Sequence, residues 1–202
     1  MGTKDQKRLE SMKVVKDELF AMTGALADER RANNVLPVIG EGSCTADIMF
    51  IGEAPGKNEA AKGLPFCGAS GKFLDVMLAS IGLERAKVYI TNVVKDRPTD
   101  NRDPYPEEVA AYAPFLNKQM EIIQPKVIAT LGRISMAYVM KNFGLLHEVQ
   151  PISKIHGKVF KARALWGKDL YIIPLYHPAA ALYNGSNRAK LLEDFKVLRA
   201  VI

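Results

Sequence analysis

The sequence predicts an α/β protein, a three-layer α/β/α sandwich around a central, mainly parallel sheet of four strands. Two observations carry this. Apolar runs near residues 46–52, 88–94, 126–132 and 170–176 alternate with stretches of helical periodicity, and strand–helix alternation implies a mainly parallel sheet with helices on both faces. The length of 202 residues, with 48% hydrophobic and 25% charged, suits one globular domain over 1–202.

Residues 5–33 form the expected N-terminal helical segment, which extends to about 43 and packs on the core. Leu9, Met12, Val15, Leu19 and Met22 recur at helical steps, and Gly24 breaks the helix before a shorter piece through Arg30 and Arg31. Val35 to Gly42, with Pro37 and two glycines, reads as a loop. The run Ile48 to Ile51 then delivers a turn holding Gly52, Pro55 and Gly56, followed by Glu53, Glu59 and Phe66 around it. After Gly71, Phe73, Leu74, Met77, Leu78 and Ile81 share one helical face, and Gly82 stops it.

The second strand, V-Y-I-T-N-V-V, carries Asn92 inside an apolar run. Residues 95–106 are too rich in Pro, Asp and Arg for a regular element and read as a surface loop. A helix enters at Pro106-Glu107-Glu108, where proline and negative charge suit a helix start. A third strand ends at Gly132 and a helix spans 134–141. Ile152 to Phe160 reads as a short strand or hairpin arm. The last strand ends at His177-Pro178, and the closing helix starts at Ser186 or Asn187.

Three strands thus end in chemistry: Gly52-Glu53, Asn92 and His177. In a parallel sheet those ends lie along one edge, where ligands bind. An amide that both donates and accepts reads a flat ring with adjacent carbonyl and N–H groups, and an aromatic ring such as Phe66 stacks on it. A His donor stabilises negative charge on a departing ring, while Glu53 or Glu59 orients water or stabilises a cation. This set of groups suits cleavage of a base–sugar bond.

Charge and cysteines narrow the partners. Lys plus Arg outnumber Asp plus Glu by 28 to 22, giving +6, and the pI near 9.2 favours a polyanion. No apolar run reaches the roughly 18–20 residues of a membrane span, and the N-terminus lacks a signal-peptide core. A cytoplasmic protein without membrane contact is expected. Cys44 and Cys67 stand alone, with no spacing that suggests zinc or a four-cysteine cluster.

The motifs G-E-A-P-G-K-N-E, G-x-P-F-x-G-x-x-G-x-x-L, Y-I-T-N-V-V-K, R-P-x-x-N-R-x-P, P-K-V-I-A-T-L-G-R and Y-H-P-A, in order from Asp47 onward, resemble the family-4 branch of the uracil-DNA glycosylase superfamily. The resemblance implies a monofunctional glycosylase that hydrolyses the N-glycosidic bond of uracil in DNA and leaves an abasic site. Its partner would be uracil-containing DNA, and a monomer is expected. Gly52, Glu53 and Gly56 would line the uracil site, Phe66 would stack on the base, Asn92 would read its edge and His177 would stabilise it as it departs. Ala54 occupies the place of the family-1 aspartate, so either Glu53 or Glu59 would act on water, or the reaction would follow a strongly dissociative path.

Leu182 or Tyr183 would fill the hole left by a flipped nucleotide, and Arg188 and Lys190 would contact phosphate. Relatives of this branch carry a four-iron cluster on four cysteines. Here two of those positions are Asp96 and Tyr112 and residues 1–43 hold no cysteine, so no iron–sulfur cluster is expected, with Tyr112 filling the space. Excision of another deaminated base, hypoxanthine or xanthine, and a non-catalytic nucleic-acid-binding role stand as alternatives.

Overall fold

The computed structural model describes residues 2–164, 166–183 and 185–201. Two N-terminal helices, α1 (Thr3–Ala21) and α2 (Ala25–Ala32), precede strands β1 (Glu41–Gly42) and β2 (Ile48–Gly52). Then come α3 (Lys57–Lys62), α4 (Ala69–Ser80), β3 (Tyr89–Asn92), α5 (Pro106–Ile123), β4 (Val127–Leu131) and α6 (Arg133–Asn142). The chain closes with α7 (Ile152–Ile155), β5 (Phe160–Arg163), β6 (Asp169–Leu175), α8 (Ala180–Tyr183) and α9 (Ser186–Ala200).

The strand order is β1-β3-β2-β4-β6-β5. β3, β2, β4 and β6 are parallel, and they are the four strands expected from the apolar runs. The sheet is larger than four because β1 and β5 add antiparallel edges. Edge strands have one neighbour and one wet side, so they leave no apolar run: β1 is two residues long, and β5 reads Phe-Lys-Ala-Arg with Lys161 and Arg163 turned outward. Ile152–Ile155, read as extended in the sequence, is instead a helical turn entered from Pro151. Pro106 begins α5, and Glu108 accepts the Tyr105 N–H at 2.7 Å, covering one of the donors a helix start leaves open.

Side chains of β2 alternate between two cores. Ile48 and Phe50 join Leu74, Met77 and Phe195 under α4 and α9, with Phe50 and Phe195 stacked at 5.6 Å. Met49 and Ile51 join Leu19, Leu116, Met120 and Val139 under α1, α5 and α6. The sheet is therefore covered on both faces, and its parallel strands open toward one edge.

Where β3 leaves the sheet the chain buries two successive charges, Lys95 and Asp96. Asp96 accepts hydrogen bonds from Arg30 at 2.9 Å and from the Tyr112 hydroxyl at 2.6 Å. Arg30 spends its remaining donors on the carbonyls of Leu19 and Phe20 at the end of α1. One buried cluster thus ties α1, α2 and α5 to the start of the 95–106 loop. Burial pushes the Asp96 carboxyl up, against the pull of Tyr112 and Arg30.

Breaking a buried pair strands the partner charge, at a cost of about 3–5 kcal/mol, whereas exposed pairs contribute about 0–1 kcal/mol. Arg30→Met is expected to lower the unfolding free energy in urea by the larger amount. Lys118→Ala, which removes the exposed Lys118–Glu18 pair at 2.5 Å, is expected to change it by the smaller. Equal losses in the two variants would contradict this account.

Candidate active site

The parallel register sets Gly52 of β2 directly beside Asn92 of β3. At that edge a cavity of about 170 Å³ opens between the 53–59 turn, Phe66, Asn92, the 101–102 segment and His177. Two larger grooves, between α1 and α5 and between α5 and α6, are lined mainly by apolar atoms. In the small cavity polar groups from five separate segments converge, Ser70 included.

Gly52 permits this convergence. A Cβ there would run into Asn92 Oδ1 and stand 2.7 Å from the Phe66 ring, so only glycine lets amide and ring approach across the strand end. Phe66 is 6% exposed and holds a left-handed backbone, φ 47°, which costs a non-glycine residue of order 1–3 kcal/mol and persists only where the surroundings impose it. Three features impose it. Glu59 Oε1 accepts the N–H groups of Cys67 and Gly68, both at 3.1 Å. Arg85 donates to the Pro65 carbonyl at 2.5 Å while pairing with Glu41 and Asp75. Gly71 leaves room for the Phe66 carbonyl, onto which a Cβ would fall.

Asn92 is 2% exposed, and its side-chain amide makes no hydrogen bond to another described residue. Such a group costs free energy unless something bonds to it. Its backbone is held from behind: Lys95 Nζ donates to Asn92 O at 2.7 Å, to Thr91 Oγ1 at 2.7 Å and to Gln119 Oε1 at 2.6 Å.

His177 stands across the cavity, its ring 5.5 Å from that of Phe66. Nδ1 accepts the Ala179 N–H at 3.2 Å, so in the neutral ring the proton sits on Nε2. Burial lowers the imidazole pKa to about 4, with the Glu59 carboxylate opposing the shift. At neutral pH the residue is an uncharged donor.

The two carboxylates differ. Glu59 faces the N-terminus of α4 and is bound by backbone donors there. Glu53 makes no such contact; burial first, then the negative Asp103 beside it, raise its pKa to about 7, with Arg133 opposing. Arg133 also pairs with Asp103, so Glu53 lies at the end of a charged chain at the cavity mouth.

Of the residues singled out in the sequence, Glu53, Gly56, Glu59, Phe66, Asn92 and His177 line the cavity, and Gly52 lies beside Asn92. Leu182 and Tyr183 lie outside the cavity on α8, 50% and 91% exposed. Arg188 lies over the Phe73 ring at 4.7 Å and Lys190 over Tyr176 at 5.3 Å. Sequence reasoning missed Ser70, Asn101 and Arg102, all of which line the cavity. Asn101 and its neighbour Asp100 have positive φ, and Asn and Asp tolerate that region best among non-glycine residues, so the D-N pair within the 95–106 loop was the available signal. Arg102 is gripped by Glu108 through two bonds of 2.6 and 2.8 Å and lies on the Tyr105 ring at 3.9 Å.

The residues at the two cluster positions do not fit a thiolate-bound iron–sulfur group. Asp96 accepts hydrogen bonds from the Tyr112 hydroxyl and from the Arg30 guanidinium, which cannot ligate a metal. Among the described residues no three His, Cys, Asp or Glu side chains converge as a metal site.

Comparison with known proteins agrees with the geometry. The chain is 45% identical over 194 residues to a type-4 uracil-DNA glycosylase of Sulfurisphaera tokodaii, covering 95% of this chain and 84% of the relative. It is 50% identical over 159 residues to a type-4 uracil-DNA glycosylase of Archaeoglobus fulgidus, covering 79% and 78%. With that of Thermotoga maritima it shares 36% identity over 197 residues, covering 96% of both. The sequence model of the Uracil DNA glycosylase superfamily matches residues 39–199, and the chain belongs to that superfamily.

Proposed function

We propose that this protein hydrolyses the N-glycosidic bond of uracil in DNA and leaves an abasic site. The observation that carries the reading is the buried Asn92 amide, without a partner among the described residues, set beside Phe66 and opposite the neutral His177 donor in a cavity of about 170 Å³. Uracil offers adjacent carbonyl and N–H groups, which pair with such an amide, and Phe66 supplies the stacking face. Relatives aligned over 95% and 96% of this chain bear the name of the same activity.

In this reading the C1′–N1 bond breaks with its electron pair passing to the base. His177 Nε2–H bonds the uracil oxygen on which charge gathers, and water adds at C1′ as its proton passes to the Glu53 carboxylate, from which it is returned to the released uracil anion through solvent. Glu53 is the carboxylate that orients this water, since Glu59 Oε1 is taken up by the N–H groups of Cys67 and Gly68. Glu59 holds Phe66 in its strained turn. Leu182 and Tyr183, exposed on α8, serve as the wedge that replaces a flipped nucleotide, and Arg188 and Lys190 at the start of α9 serve phosphate. The Arg30–Asp96–Tyr112 cluster supports a chain that works without iron, and the enzyme is read as a cytoplasmic monomer. No described helix is long and apolar enough to cross a membrane.

The direct test is a uracil-containing oligonucleotide, single-stranded or with U·G or U·A pairs, assayed for alkali-labile breaks beside a hypoxanthine substrate. Breaks at uracil are expected, undiminished after dialysis against a chelator and from protein that carries no iron; absence of breaks on all three uracil substrates would overturn the reading. Gly52→Ala, which drives a methyl group against Asn92 and Phe66, is expected to fold and to lose uracil release by at least about a hundredfold, the order seen when a single transition-state donor is removed; near-normal release would refute the close approach.

The pH profile tests Glu53. Below about pH 7 its carboxyl holds a proton and above it does not, while His177 is neutral throughout the range above about 4. The rate is therefore expected to rise through about pH 7 and then level. Asp103→Asn removes the adjacent negative charge and is expected to move that rise to lower pH; an unmoved limb would separate it from Glu53.

A further inference from the structure

Within the proposed reaction the departing uracil carries a full negative charge, yet the cavity wall offers little positive charge to meet it. His177 is neutral. Arg102, the one cation among the described lining residues, is matched by the bidentate Glu108. Glu53 and Glu59 add negative charge on the same wall.

A cation lies one layer deeper. Lys95 is fully buried, with 0% exposure and no carboxylate partner among the described residues. Its three neighbours determine its protonation. Asn92 O and Gln119 Oε1 only accept. Thr91 Oγ1 gives its proton to the Ile39 carbonyl at 2.8 Å, while Gln119 Nε2 is turned to Ile39 O at 2.7 Å and Tyr89 Oη at 3.0 Å. Three acceptors around Nζ call for three N–H donors, which an ammonium has and a neutral amine lacks. Desolvation pulls the other way, lowering its pKa well below the ordinary lysine value, and the complete set of charge-assisted hydrogen bonds resists that pull.

We infer that Lys95 stays an ammonium and supplies, from behind the Asn92 backbone, the positive field that stabilises the uracil anion as it leaves. This rests on the uracil-excising reading above. Lys95 touches no substrate and moves no proton; it is a positioning and electrostatic residue. Its bond to Asn92 O anchors the strand end that presents the reading amide, and its charge acts in a dry interior where fields are weakly screened.

The test exploits leaving-group acidity. Fluorine at C5 of uracil withdraws electrons and stabilises the departing anion by itself, so it relieves a missing field but not a distorted site. In single-turnover assays on oligonucleotides containing uracil or 5-fluorouracil, Lys95→Met is expected to slow uracil release by roughly tenfold or more. It should slow 5-fluorouracil release by clearly less, with DNA affinity unchanged. Gln119→Glu keeps Lys95 but sets a carboxylate against it, and is expected to show the same selective loss. It decides the matter alone if Lys95→Met does not fold by circular dichroism. Equal losses for the two bases, or no loss, would overturn the inference while leaving uracil excision intact. A wild-type protein that releases neither base would overturn the function itself.

Discussion

A carboxylate with no access to water has to be matched, and Asp96 is such a carboxylate. Its position one residue beyond Lys95, just past the end of β3, obliges α2 to supply Arg30 and α5 to supply Tyr112. Meeting that electrostatic requirement joins three helices to the base of the 95–106 loop, and Asn101 and Arg102 reach the cavity wall because the loop starts from a fixed point. Arg30 bonds the last carbonyls of α1 as well, so the helix end that would otherwise leave unsatisfied acceptors is closed by the same group. The N-terminal helices are thereby part of the site's support, although none of their residues lines it.

The central architecture was legible because parallel strands buried on both faces produce apolar runs, and α4, α5 and α9 produce periodic faces. What escaped notice had no such signature. β1 and β5 are edges. α3, Lys-Asn-Glu-Ala-Ala-Lys, buries only Ala60 and so reads as loop. Within the site, Gly52, Glu53, Phe66, Asn92 and His177 announced themselves as polar, aromatic or permissive residues at strand ends. Lys95 did not, since a lysine in sequence reads as surface, and only the three acceptors around it reveal a buried one. The likeness of Glu53 and Glu59 in sequence also concealed their difference, which arises from backbone donors at the start of α4.

Rigidity at this site is built from negatives as much as contacts. Side chains are missing at Gly52 and Gly71, and each absence allows a neighbour to occupy the space a Cβ would need. Phe66 is held in a conformation that it would not choose, by Glu59 on one side and Arg85 on the other. A pocket pre-set in this way does not spend binding energy on ordering its own ring when a ligand enters it.

The hydrogen bond from Ala179 N–H to His177 Nδ1 links two tasks through one stretch of backbone. The turn that carries this amide runs directly into α8, whose Leu182 and Tyr183 face solvent. The tautomer of the imidazole is set by a peptide group three residues before the exposed Leu182. In the proposed reading, where Leu182 enters the duplex, a tilt of that turn would reach the ring over this single short lever.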